Sequence, residues 1–233
     1  MNKLFMFLVS MICLNMTAYA GVSISPVQLY IAGEKQRTAT LTLESKNETA
    51  NRIFEVKAYK WTQDDLGKDI LELDTSLMVN PKNFILKQDS SQTIRAGFLR
   101  PLESILVNGE ESAWRLILEE MPSVTKDKTV SFLINFNMPL FVGAQADLNT
   151  NFKIKDGKLV VNNKAKSHIQ IHNLRIVNAD KKEVFKFDTM FYLLAGKTRS
   201  LDLNNVRLGN LSNYKVLLNT DKDDNEIELP LSN

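Results

Sequence analysis

The chain has 233 residues, a length that allows one or two domains. Hydrophobic residues make up 44% of it and charged residues 24%, a balance that argues against a disordered chain and against a membrane-resident one. The formal net charge is only +2 at pH 7, which argues against nucleic acid as a partner.

The first twenty residues predict a secretory signal peptide. Lys3 supplies a positive charge, residues 4–16 are almost entirely apolar, and Ala18-Tyr19-Ala20 has the small-x-small form of a cleavage site. The alternative, a membrane anchor, is disfavoured because the apolar stretch is short for a hydrocarbon core of roughly 30 Å. We expect cleavage after Ala20. Cys13 is the only cysteine and would leave with the signal, so the exported chain would form no disulfide.

The first half of the exported chain shows a period-two alternation of apolar and polar residues. This spacing is typical of strands with one buried face, because successive side chains point to opposite sides of a sheet. It predicts strands over residues 38–43, 54–58 and 114–118, and a long, largely apolar strand over residues 130–142. Residues 71–78 fit neither a strand nor a helix clearly.

The second half continues the pattern with short strands separated by turn signals such as Asp156-Gly157. The predicted strands are residues 159–161, 168–176, 184–187, 191–194, 201–203, 216–218 and 227–231. About seven short strands in ~90 residues suit an immunoglobulin-like β-sandwich. The long apolar run ends near Gly143, so we predict an all-β protein with two such domains in tandem, residues 21–143 and 144–233.

Motifs of enzymes and of metal sites are missing or incomplete. The sequence has no Gly-x-Ser-x-Gly elbow, no phosphate-binding loop and no cysteine cluster. His168 and His172 would share a face of a regular strand, but no clear third ligand lies nearby, which favours a solvated or cross-strand role. Residues 221–225 begin like a calcium loop, yet Glu226 stands in place of the required glycine, which favours a polar hairpin turn. We therefore predict no catalytic residue, no metal and no cofactor.

The long strand over residues 130–142 is the most distinctive segment. Five apolar side chains would form a row on one side of it: Val130, Phe132, Ile134, Phe136 and Met138. Thirteen residues exceed the usual five or six of a strand, and Pro139 cannot donate to a ladder, which fits an edge position. A plain core strand is the alternative. A long apolar edge is an aggregation hazard unless it exists to pair with another chain.

Several motifs along the chain carry a resemblance to a known family. The stretch from Glu111-Ser112 through Trp114 to Glu120-Met121-Pro122 resembles the signature of periplasmic pilus-assembly chaperones. Further similar stretches are residues 24–36, 80–86 and 92–95, and, more weakly, residues 159–162 and those that follow His168. The similarity spans the exported chain, and the first-domain motifs are the more specific ones.

The resemblance implies a function that fits the long apolar strand. Chaperones of this family lend a strand to pilin subunits whose own immunoglobulin-like fold lacks its last strand, an established example of strand addition. By this resemblance Val130, Phe132 and Ile134 fall on the donor positions, and Phe136 and Met138 extend the row. The implied location is the bacterial periplasm. The implied partners are pilin subunits and an outer-membrane usher, and we also expect self-association of the free chaperone.

The chain departs from the family at several positions. The arginine and lysine that bind the carboxylate of the subunit's terminus are replaced by Gln28 and Pro139. The interdomain arginine is replaced by Gly143, although Glu120 remains as the expected partner.

Other basic residues are candidates for the missing carboxylate anchor. Arg115 is the first, because antiparallel pairing would set it level with the end of the long strand, and Lys153 or Lys155 could complete a basic pair. The pairing of Trp114 with Arg115 resembles the archaic, spore-coat-U-related branch of the family.

Two functions of other classes stay open at this point. A structural pilin- or adhesin-like sandwich protein would polymerise with itself, whereas a chaperone would form a one-to-one complex. A carbohydrate- or metal-binding enzyme on a β-scaffold would need a polar pocket with perturbed carboxylates, and no motif for one is present.

Overall fold

The computed structural model describes residues 21–33, 36–122, 132–204 and 206–232. The predicted signal peptide and Val130 lie outside these residues. Within them the chain forms eighteen strands and two short 3₁₀ turns, Leu102–Ser104 and Leu211–Asn213, which confirms the predicted all-β class. No helix in the described ranges is long and apolar enough to cross a membrane.

The first domain is a sandwich of two sheets. Its strands in chain order are β1 (Gly21–Ser25), β2 (Leu29–Ile31), β3 (Thr38–Lys46), β4 (Arg52–Gln63), β5 (Asp69–Leu73), β6 (Met78–Asn80), β7 (Asn83–Leu86), β8 (Ser91–Gly97), β9 (Ser112–Met121) and β10 (Asn135–Val142). One sheet has the order β1-β3-β8-β6. The other has the order β2-β10-β9-β4-β5, with β7 also paired to β4. The segment 71–78, which fitted neither pattern, contains the end of β5, a turn and the first residue of β6.

The core between these sheets comes from the predicted alternation. Leu41 and Leu43 of β3 lie in one core cluster with Phe54 and Val56 of β4, and all four are nearly inaccessible to solvent. Leu116 of β9 lies in the same cluster. The intervening polar residues point outward, as the period of two requires.

The second domain contains all seven predicted strands and one that was not predicted. Its strands are β11 (Thr150–Lys155), β12 (Lys158–Asn163), β13 (Ile169–Asn178), β14 (Glu183–Phe187), β15 (Phe191–Leu193), β16 (Thr198–Asp202), β17 (Tyr214–Thr220) and β18 (Ile227–Ser232). They form the order β14-β13-β17-β18-β11-β12-β16, with β15 paired to β13. The unpredicted strand is β11, where only Phe152 is fully buried and the alternation is weak.

The two domains touch through a small aromatic cluster. Trp61 and Phe141 of the first domain pack with Leu194 and Tyr192 of the second. The buried amide of Gln63 strengthens this contact, because it donates to the carbonyl of Tyr192 at 3.0 Å and accepts from the N–H of Leu194 at 2.9 Å. The boundary between residues 143 and 144 stays a prediction, with one core cluster on each side of it.

Candidate functional site

Strand β10 has an edge that is only partly covered. On one side it pairs antiparallel with β9 along its whole length, from Asn135 opposite Glu119 to Val142 opposite Ser112. On the other side it pairs parallel with β2, and only over Leu140–Val142. Among the described residues no strand covers residues 135–139 on that second side, so β10 presents an open edge there.

The main-chain groups at the open edge follow from two hydrogen bonds. The carbonyl of Ile134 accepts from the N–H of Glu120 at 3.3 Å, so the main-chain N–H and carbonyl groups of even-numbered residues point towards β9. The N–H of Gly143 donates to the carbonyl of Ile31 at 3.0 Å, so the main-chain groups of odd-numbered residues point to the opposite side, away from β9. Asn135 and Asn137 therefore direct their N–H and carbonyl groups to the open edge.

The predicted thirteen-residue strand is shorter in the structure. Residues 132–134 are not in a strand, and β10 begins only at Asn135. Two features coincide with this start: β9 ends at Met121, level with Leu133, and the N–H of Ile134 is bonded to the side-chain carboxylate of Glu120. A strand needs a hydrogen-bonded neighbour, and the described chain supplies none beyond this level.

The row of predicted donor side chains divides into two parts. Phe132 is 86% exposed and Ile134 is half-buried. Phe136 is partly buried against the core, with its ring centroid 6.4 Å from that of Phe54, and Met138 is only 4% exposed within the core. The first two side chains are therefore accessible to another molecule, whereas Met138 belongs to the core of its own domain.

A charged cluster fixes the chain just before β10, at Ile134. Ile134 donates its N–H to the carboxylate of Glu120 at 2.8 Å, and Arg52 donates to both oxygens of the same carboxylate at 2.9 Å. Arg52 also bonds Glu48 at 2.8 Å. Burial lowers the pKa of Arg52, but the hydrogen bonds to Glu48 and Glu120 outweigh it and leave that pKa raised. The expectation that Glu120 serves the domain junction is wrong, because its partner Arg52 lies in the first domain.

Arg115 is a half-buried cation in the cleft between the domains. Its guanidinium lies 3.7 Å from the ring centroid of Trp61 and 5.2 Å from that of Tyr192. The register sets it opposite Pro139, at the end of the open edge. Burial lowers the pKa of Arg115, and the negative charge of Asp69 opposes this shift. In the described ranges its guanidinium forms no hydrogen bond or ion pair, so its donors are free for an anion.

The other two anchor candidates are elsewhere. Lys153 and Lys155 are exposed on β11. Lys155 pairs with Lys158 beside the hairpin turn, at the end of β11 opposite to Thr150 and Asn163. The side-chain amide of Asn163 bonds the carbonyls of residues 193 and 194 near the junction. The structure therefore does not bring these lysines to Arg115.

Two departures from the family are explained by their surroundings. Gln28 donates to the side chain of Gln170 at 2.7 Å and to the hydroxyl of Tyr192 at 2.8 Å, so it joins the two domains. Gly143 has φ of +127°, and a Cβ atom there would lie 3.1 Å from the Cα atom of Glu111. A side chain such as arginine is strongly disfavoured at that position.

The prediction for the two histidines is wrong in part. His172 is exposed, but His168 is completely buried, so they do not share a face. His168 precedes β13, and the register of β13 against β17 shifts between Ile171 and Asn173, which breaks the period of two. In the described part of the chain no group of three His, Cys, Asp or Glu side chains could hold a metal ion.

Solved structures with a similar fold include chaperones, among them two in complexes with a tip adhesion subunit or a pilin. A chain of the Acinetobacter baumannii CsuC–CsuE chaperone–tip adhesion subunit complex is 17% identical, with a TM-score of 0.67 over 91% of this chain and 99% of that one. A chain of the Salmonella enterica SafA pilin–SafB chaperone complex is 13% identical, with a TM-score of 0.63 over 92% and 98%. The E. coli chaperone DraB is 14% identical, with a TM-score of 0.62 over 91% and 97%. No curated protein sequence matches.

The family description "Pili and flagellar-assembly chaperone, PapD N-terminal domain" matches residues 21–145, which is more than half of the chain. This range contains β1 to β10, with the open edge and Arg115. The resemblance seen in the sequence motifs is thus confirmed, and the chain belongs to the family of pili and flagellar-assembly chaperones.

Proposed function

We propose that this chaperone binds pilin subunits by pairing the open edge of β10 with the strands that flank the gap in an incomplete subunit. The observation that carries the proposal is the half-covered edge, which continues at its tip into the exposed Phe132. An added strand would bond the main-chain groups of Asn135 and Asn137, and it would offer pairing to residues 132–134, which lie outside any strand in the free protein. An unpaired strand edge promotes aggregation, so an edge that stays open in a folded protein is expected to serve in binding.

The side chains at the tip supply the apolar part of the interaction. Phe132 and Ile134 would enter the groove of the subunit, together with Val130 by the spacing of the sequence. Burying each such side chain contributes about 1.5–3 kcal/mol before the cost of association is subtracted. Phe136 and Met138 would mainly fix the position of the strand, because both already pack in the first domain.

Arg115 is the proposed anchor for the terminal carboxylate of the subunit. Its backbone lies level with Pro139 and its guanidinium lies in the cleft between the domains, so a subunit strand that follows the open edge towards β2 would bring its terminus to the same cleft. Arginine can hold a carboxylate with two parallel hydrogen bonds. The rings of Trp61 and Tyr192 keep the guanidinium partly out of water, which strengthens such a bond.

The cellular setting follows from the sequence and the family. The predicted signal peptide supports export, and we propose that the chaperone works in the periplasm and delivers its subunits to an outer-membrane usher. Membership of the archaic branch stays a prediction. No enzymatic activity is proposed.

The test is co-expression of residues 21–233 with each small secreted protein encoded nearby in the genome, followed by size-exclusion chromatography. We expect a one-to-one complex with at least one of them. Ile134→Asp should abolish the complex, because an unpaired charge would enter an apolar groove. The control is Leu133→Asp, which changes the neighbouring exposed side chain outside the donor row. Capture by the Ile134 variant at the level of the control would refute strand donation.

A further inference from the structure

A buried ionic cluster joins the two domains, and its role is separate from subunit binding. We propose that the clamp formed by Glu111, His168 and Asp221 is sensitive to pH: it holds the domains at one angle while His168 is protonated, and it weakens once the imidazole loses its proton. Glu111 belongs to the first domain, and His168 and Asp221 belong to the second. The inference does not depend on the proposed function.

The first half of the clamp is the contact between Glu111 and His168. One carboxylate oxygen of Glu111 accepts from the main-chain N–H of His168 at 2.9 Å and lies 2.8 Å from Nδ1 of the ring. The other oxygen accepts from the side-chain amide of Gln145 at 2.5 Å. The side chains of Glu111 and His168 are 1% and 0% exposed, so both groups are removed from water.

The second half of the clamp lies on the opposite side of the imidazole ring. Nε2 is 3.3 Å from a carboxylate oxygen of Asp221, but the groups are not aligned for a hydrogen bond, so this contact is electrostatic. The main-chain N–H of Gln170 fixes the other oxygen of Asp221 at 2.7 Å. With a carboxylate facing each ring nitrogen, the protonated form of His168 is the one that both neighbours stabilise.

The ring also stacks on the end of β10. Its centroid is 3.4 Å from that of Phe141, with the two planes only 5° apart. Phe141 is completely buried, so this contact joins the second domain to the strand that carries the open edge. A positively charged ring over an aromatic face adds an attraction of the cation–π type.

His168 is surrounded by several groups that could carry a charge. Besides the two carboxylates, Lys222 lies 4.0 Å from Asp221, and the rings of Tyr30 and Tyr192 are 6.1 and 6.0 Å from the imidazole. Burial and the charges of Asp221 and Glu111 raise the pKa of Tyr30 to about 12, so this phenol stays neutral. Two carboxylates and one lysine leave one negative charge uncompensated, and the imidazolium balances it.

The way in which the stability of the clamp depends on pH follows from the direction of the pKa shift of His168. Burial lowers the pKa of His168, but Asp221 and Glu111 outweigh it and leave the pKa above its ordinary value. The stabilisation is therefore complete below about pH 6.5, the ordinary histidine value, and is lost as the pH rises through the raised value. Burial raises the pKa of Asp221, but the adjacent imidazolium of His168, the hydrogen bond from the N–H of Gln170 and the charge of Lys222 leave it lowered, so this partner is lost only in stronger acid.

The first test compares thermal unfolding of residues 21–233 between pH 5.5 and 8.5. His168→Gln cannot carry the charge, and His172→Gln is the matched control, since these are the only two histidines and His172 is exposed. We expect the wild type and the control to lose about 2–4 °C or more relative to His168→Gln as the pH rises. Parallel profiles for all three proteins would overturn the clamp. Should His168→Gln not fold, Asp221→Asn takes its place, and a profile parallel to the wild type again overturns it.

The second test measures the domain angle directly. The exported chain has no cysteine, so spin labels can be placed at Thr40→Cys in the first domain and Lys158→Cys in the second, both on exposed strand positions. We expect one narrow distance distribution at pH 6, and a broader one at pH 8.5 and in His168→Gln. The same narrow distribution in all three cases would show that the cluster does not set the angle.

Discussion

The exposed phenyl ring of Phe132 gives the sharpest test of how this chaperone captures its subunit. Because 86% of the side chain is accessible, it contributes little to the stability of the free protein. Almost all of its apolar surface remains to be buried in a complex. Phe132→Ala should therefore weaken subunit binding and leave the free chaperone folded and stable.

The size of the effect follows from the exposed fraction. Full burial of a large apolar side chain contributes about 1.5–3 kcal/mol. With 86% still exposed in Phe132, about 1.3–2.6 kcal/mol is available on binding. At 1.4 kcal/mol for each factor of ten, the dissociation constant should rise by about 8–70-fold.

A competition assay measures this ratio without isolating the aggregation-prone subunit. The wild-type complex is incubated with an excess of the variant chaperone, and native mass spectrometry gives the share of subunit on each. The control is Leu66→Ala, which removes a side chain of similar exposure, 70%, from the turn between β4 and β5. We expect the control to compete equally with the wild type. Equal competition by Phe132→Ala, with an unchanged unfolding midpoint, would refute the placement of this ring in the subunit groove.

Two further predictions separate the roles of residues along β10 and in the cleft. Met138→Ala should lower the free energy of unfolding by about 2–5 kcal/mol, because this buried side chain fills the core, and urea unfolding measures the loss. An unchanged urea midpoint would contradict its structural role. Arg115→Gln should weaken capture by about 10-fold or more, since it removes charge-assisted hydrogen bonds to the subunit's terminal carboxylate. The same variant should not affect capture of a subunit extended at its C-terminus, and an equal loss for both subunits would contradict the anchor.

The fold could be predicted because its signal is local. Alternation over five or six residues, as in Thr38–Leu43 and Trp114–Leu118, is a direct consequence of a strand with one buried face. Strand β11 was missed because Lys153 and Lys155 leave only Phe152 buried among its six residues. The predicted strand is longer than β10 because apolar character alone does not reveal which main-chain groups find a partner in a neighbouring strand, as the bond of the Ile134 N–H to the Glu120 carboxylate shows.

The interdomain contacts could not be predicted because they are not local. Glu111, His168 and Asp221 come from three separate segments, and a shift in the ladder of β13 removes the expected relation between His168 and His172. A partial signal was present for Glu111, which stands in the motif Glu111-Ser112. The motif was used to recognise the family, whereas the partner of the carboxylate could only be found in three dimensions.

Strand β10 explains why neighbouring substitutions should have different consequences. The even-numbered side chains of β10 and of residues 132–134 before it pass from fully buried at Val142 and Leu140 to highly exposed at Phe132, so this row serves the core at one end and is free at the other. The odd-numbered positions of β10 change in the same direction, from Phe141 at the domain junction to Asn135 and Asn137 at the open edge. One end of the strand is therefore held in the core, while the other end has a neighbour on only one side. A subunit that supplies the second neighbour would extend a ladder that is already in register, which reduces the cost of ordering the donor segment.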